Sequence, residues 1–425
     1  MTDPKDTGRE KRDGLVLSHY ESYPYPERDP ADENTRLISG SPSGLFELNH
    51  YVFGGARDLT KPLRALVAGG GTGDAAIMLA QHMHDAGVPG EVVHLDLSGP
   101  SQAVAKARAK VRGLDSIRFV TGSLLDVADV APGPWDYIDC CGVLHHLEDP
   151  DAGLRALAGE LAPDGGIGVM VYGEYGRTGI YHMQDMLRSI APVDDMPDAE
   201  RVDMAKRLAN DLPETSWLVR NGLIRDHVGG GDPGVYDLFL HSRDRAYRVP
   251  EVADFVDQAG LRLVTFIEPY RYNPDWLVRE PRVLKQLRDL APEVRAAFSE
   301  QFTGNLKKHI FYAVRTENPV TPPEADDPDI VPHLLNQTAE EAATALPPGG
   351  RITVSTEGLK TDMPVPPLSR AIAGLCDGTH TLAQIHEAIQ AKRSDLDFEG
   401  FKRQFDDLYR VMNAINRMVL RRPPG

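Results

Sequence analysis

The run Leu66-Val67-Ala68-Gly69-Gly70-Gly71-Thr72-Gly73-Asp74 restricts what this chain can fold into more than any other stretch. An apolar segment (63–68) ends in four glycines within five residues, and a segment with helical spacing (75–86) follows directly. Without a Cβ, glycine lets the backbone turn sharply and lets a ligand come close, while the start of the next helix offers unbonded N–H groups. Such a turn belongs at a strand-to-helix junction of an open α/β sheet. Its spacing is Gly-x-Gly-x-Gly, not the Gly-x-Gly-x-x-Gly of dinucleotide sites, so no pyrophosphate needs cradling.

The same alternation continues along the chain, with strands expected at 91–97, 116–121, 136–140 and 166–172 and helices at 101–111 and 150–161. This rhythm predicts a parallel sheet with helices on both faces. The segment Val92-Val93-His94-Leu95-Asp96-Leu97-Ser98 puts Asp96 at the end of the second strand. A carboxylate there can accept hydrogen bonds from both hydroxyls of a ribose. Residues 173–250 lose the rhythm; they hold helical stretches at 183–190 and 199–210 and a glycine run, Gly229 to Gly231, and are expected to lie over the sheet as an insertion. The core returns with a helix at 252–259 and strands at 261–267 and 309–315.

Three further motifs complete the set: Phe119-Val120-Thr121-Gly122-Ser123-Leu124-Leu125-Asp126, the run from Trp135 through Gly142-Val143-Leu144-His145-His146-Leu147 to Pro150, and Leu161-Ala162-Pro163-Asp164-Gly165-Gly166. In this order and spacing the five segments resemble the class I S-adenosylmethionine-dependent methyltransferases. The stretch 135–172 resembles the subgroup with a Gly-Val-Leu-His-His-Leu segment and a Pro-x-Gly-Gly turn. The resemblance is specific over 63–172 and extends to 316. It implies a Rossmann-like, seven-stranded α/β sheet closed by an antiparallel hairpin of the two late strands, and S-adenosyl-L-methionine as cofactor. By position, the resemblance assigns Gly69, Gly71 and Gly73 to the methionine part of the cofactor, Asp96 to its ribose, Ser123 and Leu124 to the adenine, and Cys141 and Gly142 to the methionine moiety again. Two positions depart from the family pattern: Val67 stands where an acid is usual, two residues before the first glycine, and Ser123 stands where aspartate is frequent. Asp74 and Asp126 are the candidates to compensate.

A sulfonium carries an already activated methyl, so the protein mainly brings a nucleophile in line with it and supplies a general base where the nucleophile is protonated. His145 and His146 form a pair that recurs in the resembled family across many substrates; it reads either as scaffold or, for His145, as a substrate-facing base. At the exit of the fifth strand, Tyr172, Tyr175 and His182 stand with Glu174, Arg177 and Tyr181, a cluster that either binds an acidic or aromatic substrate or anchors the insertion. Asp244, between Arg243 and Arg245, reads as a pocket edge or a structural ion pair. Cys140 and Cys141 have no base paired with them and read as packing behind the cofactor. No metal-ligating constellation is present in the sequence, and no metal is expected.

Around this core the expected organisation is a disordered tail (1–14), an N-terminal arm or cap (15–62) with the stiff Tyr20-to-Pro26 segment, a methyltransferase core (63–316), a proline- and acid-rich linker (317–332) and a small α+β domain (333–425). Helices are expected in that last domain at 367–376, 382–392 and 398–418, and it resembles small winged-helix domains, as a peptide-binding or dimerising unit. The net charge of −17 disfavours a nucleic-acid partner. Three cysteines without a disulfide pattern, and no apolar stretch long enough to span a bilayer, point to the cytoplasm and to no membrane partner. The expected function is methyl transfer to an O, N or S nucleophile of a small molecule. The alternatives are a protein or peptide acceptor and, in another class, a non-catalytic cofactor-binding regulator; a homodimer is an allowed assembly.

Overall fold

A computed structural model describes residues 26–40, 42–193, 195–224, 231–241 and 243–423. The tail 1–14, the segment from Tyr20 to Tyr25, and Gly229 and Gly230 lie outside the described residues.

The central sheet is built from β1 (Leu63–Ala68), β2 (Gly90–Asp96), β3 (Ile117–Thr121), β4 (Trp135–Cys141), β5 (Leu161–Gly173), β6 (Ala246–Tyr247), β7 (Leu261–Phe266) and β8 (Lys308–Arg315). Its order is β3-β2-β1-β4-β5-β8-β7, with the two-residue β6 added beside the end of β5. The first five strands pair in parallel, and β8 runs antiparallel to both β5 and β7. This is the Rossmann-like sheet expected from the sequence, including the closing hairpin. β1 is apolar at nearly every position because both of its faces are covered, as a central parallel strand requires. Leu66 and Ala68 face one core with Val93, Ile138, Val169 and the helix Pro150–Gly159; Ala65 and Val67 face the other with Ile77, Leu79, Tyr137 and Tyr312.

Between β5 and β6, the helices Ile180–Ile190 and Asp198–Asp211 bury Ile180, Met183, Leu187, Val202 and Ala205 against Leu218 and Phe239. The insertion therefore has a small core of its own. Three helices that each begin with proline, Pro274–Leu277, Pro281–Leu287 and Pro292–Thr303, fill the space between β7 and β8.

The C-terminal unit is tied at its ends by β9 (Val331–Leu334) paired antiparallel with β12 (Met418–Arg421). Between them come the helix Ala339–Ala345, the hairpin of β10 (Gly350–Thr356) and β11 (Leu359–Val365), and the helices Ser369–Ala373, Leu382–Gln390 and Phe398–Ala414. The last helix stops at Ala414, four residues short of the expected end, because the chain reverses at Asn416 (φ 53°) to enter β12. Ala325 and Ile330, inside the proline- and acid-rich stretch, are buried in the core of this unit together with Tyr270. Such a composition opposes regular structure without opposing burial. The unit is also fastened to the helix Leu45–Tyr51: His50 Nδ1 lies 2.9 Å from the Leu420 carbonyl, and the ring of Phe46 lies 3.7 Å from that of His333.

Candidate functional site

The glycine turn lies at the C-terminal edge of the sheet, where ligands of open α/β folds bind. Gly69 (φ 76°) and Gly73 (φ 103°) adopt left-handed conformations that only glycine takes without strain. A Cβ on Gly69 would come within 2.4 Å of the Val143 side chain, and one on Gly73 within 2.8 Å of Ala105. Both positions thus pack the loop tightly onto its neighbours. Gly71 donates its N–H to Asp96 Oδ2 at 2.7 Å, and Ser98 donates to Asp96 Oδ1 at 2.7 Å. A carboxylate has about four acceptor sites, so two remain for a ligand after these amides are bound.

A cavity of about 630 Å³ opens over this edge. Gly69, Gly71, Asp96, Ser123, Leu124, Cys141, Gly142 and Tyr172 all line it. Gly73, His145, Tyr175 and His182 do not. Gly73 precedes the helix Asp74–Asp85 and packs against Ala105. Ser123 lines the wall while also capping the short turn after it, its Oγ accepting from the Leu125 amide at 3.2 Å. Burial pushes the Cys141 thiol up to about 12, which keeps it protonated and unreactive.

His145 is fully buried behind the wall, between His146 and Tyr172, with ring centroids 4.1 and 4.0 Å away, and neither of its nitrogens has a hydrogen-bond partner among the described residues. His182 is exposed on the insertion helix, and Tyr175 is half-buried in the short turn Tyr175–Arg177 before that helix. The histidine at the cavity is His146. Its Nδ1 lies 2.8 Å from the Arg243 carbonyl, an acceptor that fixes the proton on Nδ1 and leaves Nε2 as the basic nitrogen. Burial lowers its pKa, so the ring is neutral near pH 7.

The acceptor side of the cavity joins Arg177 and Asp244, both expected from the sequence, to Lys307, Lys308 and Glu357, which no sequence motif marks. Arg177, 5% exposed, stacks over Tyr172 at 3.6 Å and pairs with Asp244 at 2.9 Å. The Asp244 ion pair is therefore with Arg177 and not with the arginines that flank it in sequence. Lys308 also lines the cavity, with no ion-pair partner among the described residues. Lys307 pairs at 3.2 Å with Glu357, which also pairs with Arg271. Glu357 sits at the tip of the β10–β11 hairpin, so the C-terminal unit contributes directly to the cavity wall. The opposite rim comes from the arm, through Pro26, Arg28 and residues 38–40. Asp74 is engaged by Arg28 (2.7 Å) and Arg108 (2.6 Å) and so belongs to the fastening of the arm.

The sheet order, its reversed last strand and the glycine edge define the class I methyltransferase fold. Residues 66–167 match the family model described as a methyltransferase domain; the chain carries a domain of that family. A Synechococcus protein described as uncharacterised is 34% identical over 270 residues, covering 62% of this chain and 62% of that one. The tRNA 5-carboxymethoxyuridine methyltransferase of Escherichia coli K12 is 35% identical over 115 residues, 27% of this chain and 42% of that enzyme. The chain thus spans less than two thirds of the length of these curated relatives. Among solved structures, PKMT2 from Rickettsia typhi in complex with AdoHcy superposes with a TM-score of 0.63 at 14% identity, over 89% of this chain and 75% of that one.

Proposed function

We propose that the chain is an S-adenosylmethionine-dependent methyltransferase that methylates an O, N or S nucleophile of a small molecule held in the cavity. The observation that carries this reading is the cavity itself, which joins the glycine turn and Asp96 at one end to His146, Tyr172 and Arg177 at the other. The residues present fit such a cofactor. Asp96 keeps acceptor capacity for two ribose hydroxyls, the glycine turn leaves its backbone open to close approach, and Leu124 offers an apolar wall to a purine. When bound, S-adenosylmethionine supplies a methyl activated on a sulfonium.

The remaining chemistry falls to the chain. His146 Nε2 takes a proton from an acceptor that needs to lose one. Arg177 and Lys308 favour an acceptor with an anionic group, Arg177 being fixed by its pairing with Asp244. The arm and the insertion cover the site and exclude water. About 630 Å³ suits the cofactor and a small acceptor better than a folded surface.

A protein or peptide side chain is the second reading, favoured by Glu357, which carries the C-terminal unit to the cavity rim. RNA is supported less: the likeness to the tRNA enzyme spans 27% of this chain, and the net charge is −17. Calorimetric titration with S-adenosylmethionine, S-adenosylhomocysteine and NAD tests the reading. Saturable binding of the first two and none of NAD is expected. Binding of NAD alone, or of none of the three, overturns it.

A further inference from the structure

Asp139 lies within β4, a central parallel strand where apolar residues are the rule. It is 1% exposed, yet it lines the cavity. Its Oδ2 accepts the Ser43 hydroxyl at 2.7 Å and its carboxyl also accepts the Cys141 backbone amide, two neutral donors, and among the described residues no lysine, arginine or histidine pairs with it. A buried carboxyl with so few donors is costly unless a cation or further donors reach it. The side from which one can come is the cavity.

Its place in the sheet says what that cation is. Asp139 stands directly opposite Val67 in the β1–β4 register. Paired positions of neighbouring strands project from the same face, so Asp139 sits beside the position where the first strand lacks the usual acid. Val67 is in turn level with His94 on β2, which sets Asp96 two residues further toward the glycine edge. Asp96 and Asp139 therefore flank β1 on either side, about 10 Å apart across the sheet from two strand spacings. One carboxylate is placed for the ribose, the other for the far end of the same ligand.

We propose that Asp139 replaces the missing acid of β1 and binds the α-ammonium of the cofactor's amino-acid end. This rests on the cofactor reading above. The Ser43 hydroxyl orients the carboxyl, and because Ser43 belongs to the arm, the arm and this end of the ligand site are built together.

The test is calorimetric affinity of the full chain for S-adenosylmethionine and for 5′-methylthioadenosine, which keeps the adenosine and lacks the amino acid. Asp139→Asn is near-isosteric and retains an acceptor for Ser43. It is expected to lower S-adenosylmethionine affinity by about tenfold or more, the scale of one charge-assisted hydrogen bond, with 5′-methylthioadenosine affinity unchanged. Adding Val67→Asp to Asp139→Asn is expected to restore part of the loss. Unchanged S-adenosylmethionine affinity in Asp139→Asn, or equal losses for both ligands, overturns the assignment of Asp139. Failure of the unsubstituted chain to bind S-adenosylmethionine instead removes the cofactor reading, and this inference with it.

Discussion

The carboxylate of Asp96 accepts the Gly71 amide at 2.7 Å, so the end of the second strand holds the glycine turn of the first in shape. Asp96→Ala removes both this brace and the acceptor for the ribose. It is expected to weaken S-adenosylmethionine binding by about 1–3 kcal/mol, read by calorimetry. An unchanged affinity would take Asp96 out of the site.

The arm is pinned to the core by a buried charge cluster. Glu33 and Arg108, each with a 1% exposed side chain, pair at 2.6 Å, and Arg112 joins Glu33. Glu33→Ala leaves the buried Arg108 with Asp74 as its one carboxylate and takes the carboxylate from Arg112, so it is expected to cost about 3 kcal/mol in urea unfolding. Arg36→Ala breaks only the exposed pair with Asp32 and should cost under about 1 kcal/mol. Similar small costs for both would mean that the arm contributes nothing to stability.

Two histidines, His50 buried and His333 half-buried, sit where the C-terminal strands meet the arm. Burial lowers both His50 and His333 from 6.5 to about 4. Below pH 6.5 the unfolded chain takes up protons that the folded chain does not, so stability is full above 6.5 and falls as the pH drops toward 4. The loss is at most about 1.4 kcal/mol per pH unit per histidine. The urea midpoint is expected to decline between pH 7 and 5, and less steeply in His50→Gln. Parallel declines in the two proteins would show that His50 does not carry the effect.

The neighbours His145 and His146 are predicted to differ in kind. His146→Gln should lower turnover by on the order of a hundredfold with cofactor affinity unchanged, once an acceptor is found. His145→Gln should act first on stability, since both ring nitrogens are buried without partners among the described residues. Equal kinetic effects of the two substitutions would deny His146 its role as base.

The sheet was legible because its signals are local. The glycines at 69–73 need particular backbone angles, and β1 to β5 alternate with helices at regular intervals. Of the three helices between β7 and β8, Pro274–Leu277 and Pro281–Leu287 are short and set by tertiary packing, which leaves little periodicity to read. The acceptor side was harder still. His146 and His145 are adjacent in sequence, and only the fold decides which one faces the cavity. Glu357 reaches the wall from 50 residues beyond Lys307, on a hairpin whose own pattern gives no hint of the contact. Asp139 reads as one polar residue within a strand until its register with Val67 is known.

Crystals of the protein grown with S-adenosylhomocysteine test the central claim most directly. The ligand is expected in the cavity over the glycine turn, with its ribose hydroxyls on the Asp96 carboxylate. A ligand bound elsewhere, or one whose ribose lies away from Asp96, would contradict it.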